Sequence, residues 1–153
     1  MTATVSGFGL SMTVPTGWEA VIYRRPSTQG ETTHPVAQAA TVAIPSQRGD
    51  YGGGIVETLG STDVFVAFLE FGPQAAGSAL FPTTDVVPAV TAESYRPRQL
   101  QRTVQGQAGV QRFFTIAGRS FCLYSVIGSV SARVALAAAA NQLIGSFQVQ
   151  PLT

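Results

Sequence analysis

The most strongly apolar stretch of the chain covers residues 110–127, with the sequence VQRFFTIAGRSFCLYSVI. When its residues alternate as in a strand, apolar side chains fall on both faces of each half. The pattern predicts two strands joined at Ala117-Gly118, because Gly118 permits the tight connection of a hairpin. Since both faces are apolar, we expect this hairpin to lie at the centre of a sheet with material packed on each side.

Shorter alternating segments predict further strands. The first two are joined by a turn at Pro15-Thr16-Gly17, so we expect an N-terminal hairpin with Trp18 as a core anchor. One later segment, RQLQRTV, fits a helix as well as a strand, and we favour the strand. The predicted strands cover residues 7–15, 20–25, 36–45, 64–71 and 98–104.

A long helical pattern covers residues 132–144, where Ser131 is a candidate N-cap and Gly145 can end the helix. A short edge strand is predicted after it, at residues 147–149. Strands and helices do not alternate regularly, so the sheet should be mainly antiparallel with the helix packed on it. We therefore predict an α/β fold of the α+β type, with residues 1–153 as a single domain.

Four segments together resemble the PsbP-like family. They are GFGLSMTVPTGW, STDVFVAFLEF, GRSFCLYSVIG and LIGSFQV, and they span nearly the whole chain. The similar features are the early G-F…P-x-G-W hairpin and the closing helix–S-F-x-V element, Asn141 to Val149. That family also includes LpqN-type actinobacterial lipoproteins and a nuclear-import factor that binds the GTPase Ran.

The resemblance implies an α/β/α sandwich around a mainly antiparallel sheet, with the long C-terminal helix 132–144. It also implies a binding or assembly role, since members serve mostly as interaction factors. It carries no catalytic residues over to this chain. The chain departs from the lipoprotein members because it has no lipid-attachment cysteine near its start.

The composition limits the available chemistry. All nine basic residues are arginine, so Schiff-base and lysine general-base mechanisms are excluded. The formal net charge of +1 argues against a dedicated nucleic-acid binder. Three consecutive glycines at residues 52–54 lack the lysine and the spacing of a phosphate-binding loop, so no cofactor is predicted.

The charges are distributed unevenly along the chain. All eight acidic residues lie at or before Glu93, whereas six of the nine arginines follow it. Two outcomes are open: the charges mix on the folded surface, or they form a basic face that meets an acidic partner. For the second outcome, the predicted partner-binding residues are Arg96, Arg98, Arg102 and Arg112.

The remaining reactive side chains give weak signals. Cys122 lies inside an apolar strand and His34 in a polar loop, so neither a catalytic pair nor a metal site is predicted. The start of the chain, MTATVSGFGL, lacks the features of a signal peptide, and no segment is long enough to span a membrane. These patterns predict a cytoplasmic protein, although an exported protein whose signal had been removed would look the same.

Two classes of function remain. The favoured one is a non-enzymatic protein-interaction or assembly module that binds a protein partner. The alternative is a small-ligand-binding protein or enzyme with a pocket near Trp18, Tyr23 and Tyr51. A filled core with a flat surface would favour the first, and a large enclosed pocket with polar lining would favour the second.

Overall fold

The computed structural model describes residues 2–152 and contains eight strands and one α-helix within them. Several single 3₁₀ turns lie in the connections. The elements are β1 (Ala3–Gly7), β2 (Leu10–Val14), β3 (Glu19–Arg24), β4 (Pro35–Ala40), β5 (Val64–Glu70), β6 (Ala108–Ile116), β7 (Arg119–Ile127), α1 (Arg133–Ile144) and β8 (Gln148–Val149).

The strands form two antiparallel sheets. The larger has the order β3-β4-β5-β7-β6, and the smaller has the order β1-β2-β8. The predicted antiparallel sheet is thus confirmed. The hairpin at residues 110–127 is also confirmed, since β6 and β7 pair along their whole length from Ala108↔Ile127 to Ile116↔Arg119. Only β7 of this hairpin is interior, because β6 lies at the edge of the sheet.

The predicted α/β fold of the α+β type, with an α/β/α sandwich, is wrong. Such a sandwich needs helices on both faces of the sheet, and residues 2–152 contain one α-helix of 12 residues on one face. The helix and the small sheet cover that first face and enclose a core that includes Leu10, Phe68, Phe121 and Leu143. The fold is therefore mostly β, with the helix and the small sheet sharing one layer.

Irregular segments cover the second face of the large sheet. Residues 41–63 contain a single 3₁₀ turn, Val56–Thr58, and the predicted strand 98–104 is instead a 3₁₀ turn, Pro97–Gln99, followed by a loop. Their apolar side chains meet Phe65, Tyr124 and Val126 in a second, smaller core. Proline at the first position of the later turn fixes a helical φ and removes a strand hydrogen bond.

The predicted N-terminal hairpin does not form. β2 pairs with β1 and β8, whereas β3 begins the large sheet by pairing with β4. The chain therefore crosses from one layer to the other at the predicted turn, where Gly17 has a positive φ of 91°. Trp18 follows this crossing and packs, half-buried, against the first core.

The helix matches its predicted position but not its predicted cap. Its N-cap residue is Ala132, which makes no side-chain hydrogen bond, and the Ser131 hydroxyl pairs with that of Ser129 at 2.8 Å instead. Asn141 holds the helix to the preceding loop, because its amide both donates to the Val90 carbonyl and accepts from the Val90 N–H. None of the helices within residues 2–152 has the length and apolar character needed to cross a bilayer.

Candidate functional site: a tyrosine-lined cavity on the second face

The four predicted arginines are all exposed but differ in their contacts. The backbone of Arg96 exchanges hydrogen bonds with Gly109 at the edge of β6, at 2.8 and 3.0 Å. Arg98 lies on the neighbouring 3₁₀ turn. Arg102 pairs with Glu57 at 3.3 Å, and Arg112 donates to the Ala89 carbonyl at 3.4 Å.

These arginines do not converge on one face of the sheet. Arg112 lies on the same face of β6 as Val110 and Phe114, both of which belong to the first core, so its side chain is on the side of the sheet that carries the helix. Arg102 reaches Glu57 beside the second core. Only Arg98 and Arg102 lie in the segment that covers the second face, and these two are candidates for a common contact there.

Trp18, Tyr23 and Tyr51 do not form a common pocket either. Trp18 packs on the first core, whereas both tyrosines pack on the second, across the sheet. Tyr23 donates a hydrogen bond to Asp50 at 2.7 Å, and the guanidinium of Arg48 lies 4.5 Å from the centre of its ring. Burial and the Asp50 carboxylate raise the pKa of Tyr23, so its phenol stays protonated and structural.

Tyr51 instead forms one wall of a cavity of about 280 Å³ over β7. Its ring meets that of Tyr124 edge to face, with 5.4 Å between the ring centres. We call this site the tyrosine cavity. Its apolar walls are Tyr51, Val56, Leu100, Tyr124 and Val126, and its polar lining includes Asp50, Glu57, Arg102 and Gln107.

The glycine-rich loop builds this wall by approaching the sheet very closely. Gly52 has a φ of 89°, and a Cβ atom added there would lie 2.7 Å from the ring of Phe65. Only glycine fits both constraints, so the loop can lie flat on β5 and place Tyr51 beside Tyr124. Gln38, fully buried in β4, ties the loop down by donating to the carbonyls of Gly49 and Asp50 at 2.9 and 3.0 Å.

The two phenols give the cavity hydrogen-bonding capacity. Tyr124 accepts a hydrogen bond from the Gln101 N–H at 2.8 Å, which leaves its own hydroxyl hydrogen available to donate. Burial raises the pKa of Tyr51 and, partly offset by that hydrogen bond, the pKa of Tyr124. Both phenols are therefore neutral donors at physiological pH.

Gln107 adds a polar group behind the cavity wall. Its amide nitrogen donates to the Val56 carbonyl at 2.8 Å, which fixes the orientation of the amide. Its Oε1 atom is buried and has no hydrogen-bond partner among residues 2–152.

Cys122 and His34 are not brought together as a reactive pair. Cys122 is fully buried in the second core, and burial raises the pKa of its thiol to about 12. His34 lines an adjoining cleft of about 500 Å³, called here the His34 cleft, together with Arg25 and Glu70, and this cleft shares Asp50 and Tyr51 with the tyrosine cavity. Within the described part of the chain, no three histidine, cysteine or carboxylate side chains are grouped to hold a metal ion.

Sequence reasoning found Tyr51 and Arg102 but assigned them to different functions. It missed Leu100, Tyr124 and Gln107 as members of one site. Tyr124 is hidden in the strongest strand pattern, where an aromatic residue predicts core packing. The position of Leu100 depends on the turn Pro97–Gln99, whereas the sequence predicts a strand over residues 98–104.

No protein-family model, curated protein or solved structure matches this chain. The resemblance to the PsbP-like family therefore stays a prediction.

Proposed function

We propose that the chain is a non-enzymatic protein-interaction module, and that the tyrosine cavity binds an apolar anchor side chain of an acidic partner segment. The observation that carries the proposal is an apolar cavity bordered by an exposed arginine, over a sheet that has a packed core on each face. Interfaces commonly place one anchor side chain in such a pocket, with charged groups at the rim.

The size of the cavity supports a side chain as its occupant. Sites for whole small molecules usually enclose about 300–1,000 Å³. The tyrosine cavity, at about 280 Å³, falls just below that range. The hydroxyl of Tyr124 can donate to a carbonyl next to the anchor, which would fix the direction of the bound segment.

The exposed arginines beside the cavity support an acidic partner, because the two carboxylates in its lining, Asp50 and Glu57, are already paired with Arg25 and Arg102. Arg102 is 75% exposed although it pairs with Glu57, and Arg98 is exposed on the preceding turn. An exposed ion pair of this kind is worth only about 0–1 kcal/mol, so a partner carboxylate can compete for the guanidinium. Arginine suits this role because its planar head binds a carboxylate through two hydrogen bonds.

A peptide library displayed on phage tests this proposal without a known partner. We expect selection to enrich sequences with a large apolar residue next to aspartate or glutamate. Binding of the enriched peptides should be lost with Leu100→Glu, which puts a charge into the cavity wall. It should persist with Gln99→Glu, a matched change on the exposed neighbouring position. Enriched peptides that bind both variants equally, or no enrichment at all, would refute the proposal.

A second candidate function is small-ligand binding in the His34 cleft. Its volume of about 500 Å³ lies inside the usual range for ligand sites, and its lining combines Arg25, His34 and Asp50 with the apolar side chains of Leu69 and Phe71. Screening of small carboxylic acids by protein-detected NMR distinguishes the candidates. Shifts confined to residues around His34 would favour this function over the first.

A further inference from the structure

The two edges of the large sheet differ. The outer edge of β6 is covered near both of its ends. The Thr115 N–H donates to the Pro82 carbonyl, the Thr115 carbonyl accepts from the Thr84 N–H, and Arg96 exchanges backbone hydrogen bonds with Gly109. The outer edge of β3 lacks such bonds: β1 packs near β3, with Gly7 close to Ile22, but between residues 2 and 152 no segment makes a backbone hydrogen bond to this edge. An uncovered edge is a template for pairing with another strand.

The register of the sheet identifies the outward groups on β3. The Thr41 N–H donates to the Val64 carbonyl, so odd-numbered residues of β4 direct their backbone groups toward β5. The backbone groups of the even-numbered residues of β4 then point toward β3, where their hydrogen-bonding partners are Glu19, Val21 and Tyr23. Backbone alternation leaves the N–H and C=O groups of Ala20, Ile22 and Arg24 pointing outward.

We propose that two copies of this chain associate through antiparallel pairing of β3 with β3, around a two-fold axis at Ile22. This inference is independent of the tyrosine cavity. A two-fold axis perpendicular to the sheet keeps each face continuous, so a residue must pair with one of the same parity. When Ile22 pairs with Ile22 of the second copy, Ala20 lies opposite Arg24 of that copy. The outward N–H and C=O groups of all three residues can then form backbone hydrogen bonds across the two-fold axis.

Charge selects this register among those that symmetry permits. Centring the pair on Ile22 places Glu19 opposite Arg25 of the second copy, and the reverse contact repeats at the other end. Both side chains are exposed, and directly opposed charges of opposite sign stabilise paired strands. Between these ends, Val21 lies opposite Tyr23 of the second copy, an aromatic and β-branched pair that also favours association.

The internal contacts of the two charged residues leave them free to take part. Glu19 accepts a hydrogen bond from the Ile44 N–H through one carboxylate oxygen at 3.2 Å. Arg25 contacts Asp50 through Nε at 3.0 Å, and its side chain remains 65% exposed. The terminal nitrogens of Arg25 can therefore reach a carboxylate of a second molecule.

A charge exchange between two variants tests the pairing. In Glu19→Arg, each introduced arginine faces Arg25 of the other copy, and in Arg25→Glu each introduced glutamate faces Glu19. Each variant alone should dimerise roughly ten- to a hundredfold more weakly than the unchanged protein, because both ends of the strand pair now repel. An equimolar mixture should dimerise again, since a mixed dimer opposes unlike charges at both ends.

Sedimentation equilibrium at about 100 µM protein measures these states, because a dimer with micromolar affinity is well populated there. Glu93→Arg, an exposed position away from β3, is the matched control and should remain dimeric. The proposal is overturned if the unchanged protein is monomeric, if both single variants remain dimeric, or if the mixture stays monomeric.

Discussion

At the scale of single residues, the buried ion pair of Arg119 and Glu70 is the contact that matters most for holding the fold together. The two side chains are 2% and 4% exposed and meet through two hydrogen bonds, of 2.6 and 2.9 Å. Arg119 also donates to the carbonyls of Phe8 and Gln150. One guanidinium therefore joins the β1–β2 turn, the β5–β7 pair at the centre of the large sheet and the segment that follows β8.

We expect Arg119→Met to destabilise the protein by about 3–5 kcal/mol, because it leaves the Glu70 carboxylate buried without its partner. The matched control is Arg102→Met, which removes an exposed ion pair and should cost no more than about 1 kcal/mol. Urea denaturation midpoints measure both effects. Equal midpoints for the two variants would contradict the buried role of Arg119.

A second prediction at this scale concerns Cys122 and pH. A thiol in an unfolded chain ionises near pH 8.5, whereas burial raises the pKa of Cys122 to about 12. The folded state therefore holds the thiol proton more tightly than the unfolded state does. The free energy of unfolding should then fall as the pH rises from about 8.5 toward 12, and below that window the thiol contributes no pH dependence.

Comparison with Cys122→Ala isolates this contribution. Between about pH 8.5 and 10, the free energy of unfolding of the unchanged protein should fall more steeply, by up to about 1.4 kcal/mol per pH unit. A thiol reagent provides the second measurement, and native Cys122 should react far more slowly than in urea. Parallel pH profiles for the two proteins, or rapid labelling of the native thiol, would show that Cys122 is accessible.

At the scale of elements, two hairpins have turns in which the first central residue is unfavourable for the backbone conformation. Ala117-Gly118 has φ values of 54° and 75°, and Phe8-Gly9 has φ values of 55° and 77°. Positive φ at both central positions defines a type I′ turn, which suits the twist of paired strands. Asparagine is the favoured first residue of this turn, and neither alanine nor phenylalanine adopts a positive φ readily.

Ala117→Asn should therefore stabilise the protein, by roughly 0.5–1 kcal/mol, since it removes left-handed strain at an exposed position. Ala117→Val should destabilise it by a similar amount or more, because a β-branched residue resists positive φ. Thermal unfolding of both variants is the measurement. A lower melting temperature for Ala117→Asn would mean that the turn has another conformation in solution.

The elements also show what the sequence could and could not predict. The positions of β5, β7 and α1 follow from long apolar patterns that leave few alternatives. Strand pairing is a different matter, because alternation specifies which side chains share a face but not which strand lies alongside. Two short strands joined by Pro15-Thr16-Gly17 look like a hairpin, yet the same turn carries the chain between layers.

The site was harder to predict than the fold, because sequence patterns do not specify which distant segments lie side by side. The tyrosine cavity combines residues from the glycine-rich loop, the turn after Pro97 and the middle of β7. Its existence depends on a close approach between Gly52 and Phe65, which no local pattern encodes. The absence of a second helical layer was equally hard to predict, since of the segments that replace it one fits a helix as well as a strand, and the strand predicted there at residues 98–104 does not form.

At the scale of the whole molecule, the charge asymmetry of the chain is only partly neutralised by folding. Glu57 and Glu70 pair with Arg102 and Arg119, so acids from the first part of the chain do fold back onto later arginines. Arg98 and Arg102 remain exposed beside the tyrosine cavity. Exposed charges affect the rate of association and its salt dependence more than the final affinity.

Replacement of both arginines, Arg98→Gln with Arg102→Gln, should therefore slow association with an acidic cavity-binding peptide several-fold at low salt. The difference should shrink at physiological salt, where screening acts within about 8 Å. Arg133→Gln is the control, because Arg133 is exposed on the helix side of the sheet. Stopped-flow association rates would contradict a steering role if the double variant and the control behaved alike at low salt.

The position of β5 in the middle of the large sheet has a consequence for synthesis of the protein. Its sequence, VFVAFLE, is rich in strand-forming residues, free of proline and carries a single charge, which are the features of segments that aggregate. One of its neighbours, β4, leaves the ribosome before it, but β7 follows only after roughly fifty further residues, which takes about 3–10 seconds. During that interval the edge later hidden by β7 is open to other chains, so the yield of folded protein depends on how quickly residues 119–127 emerge.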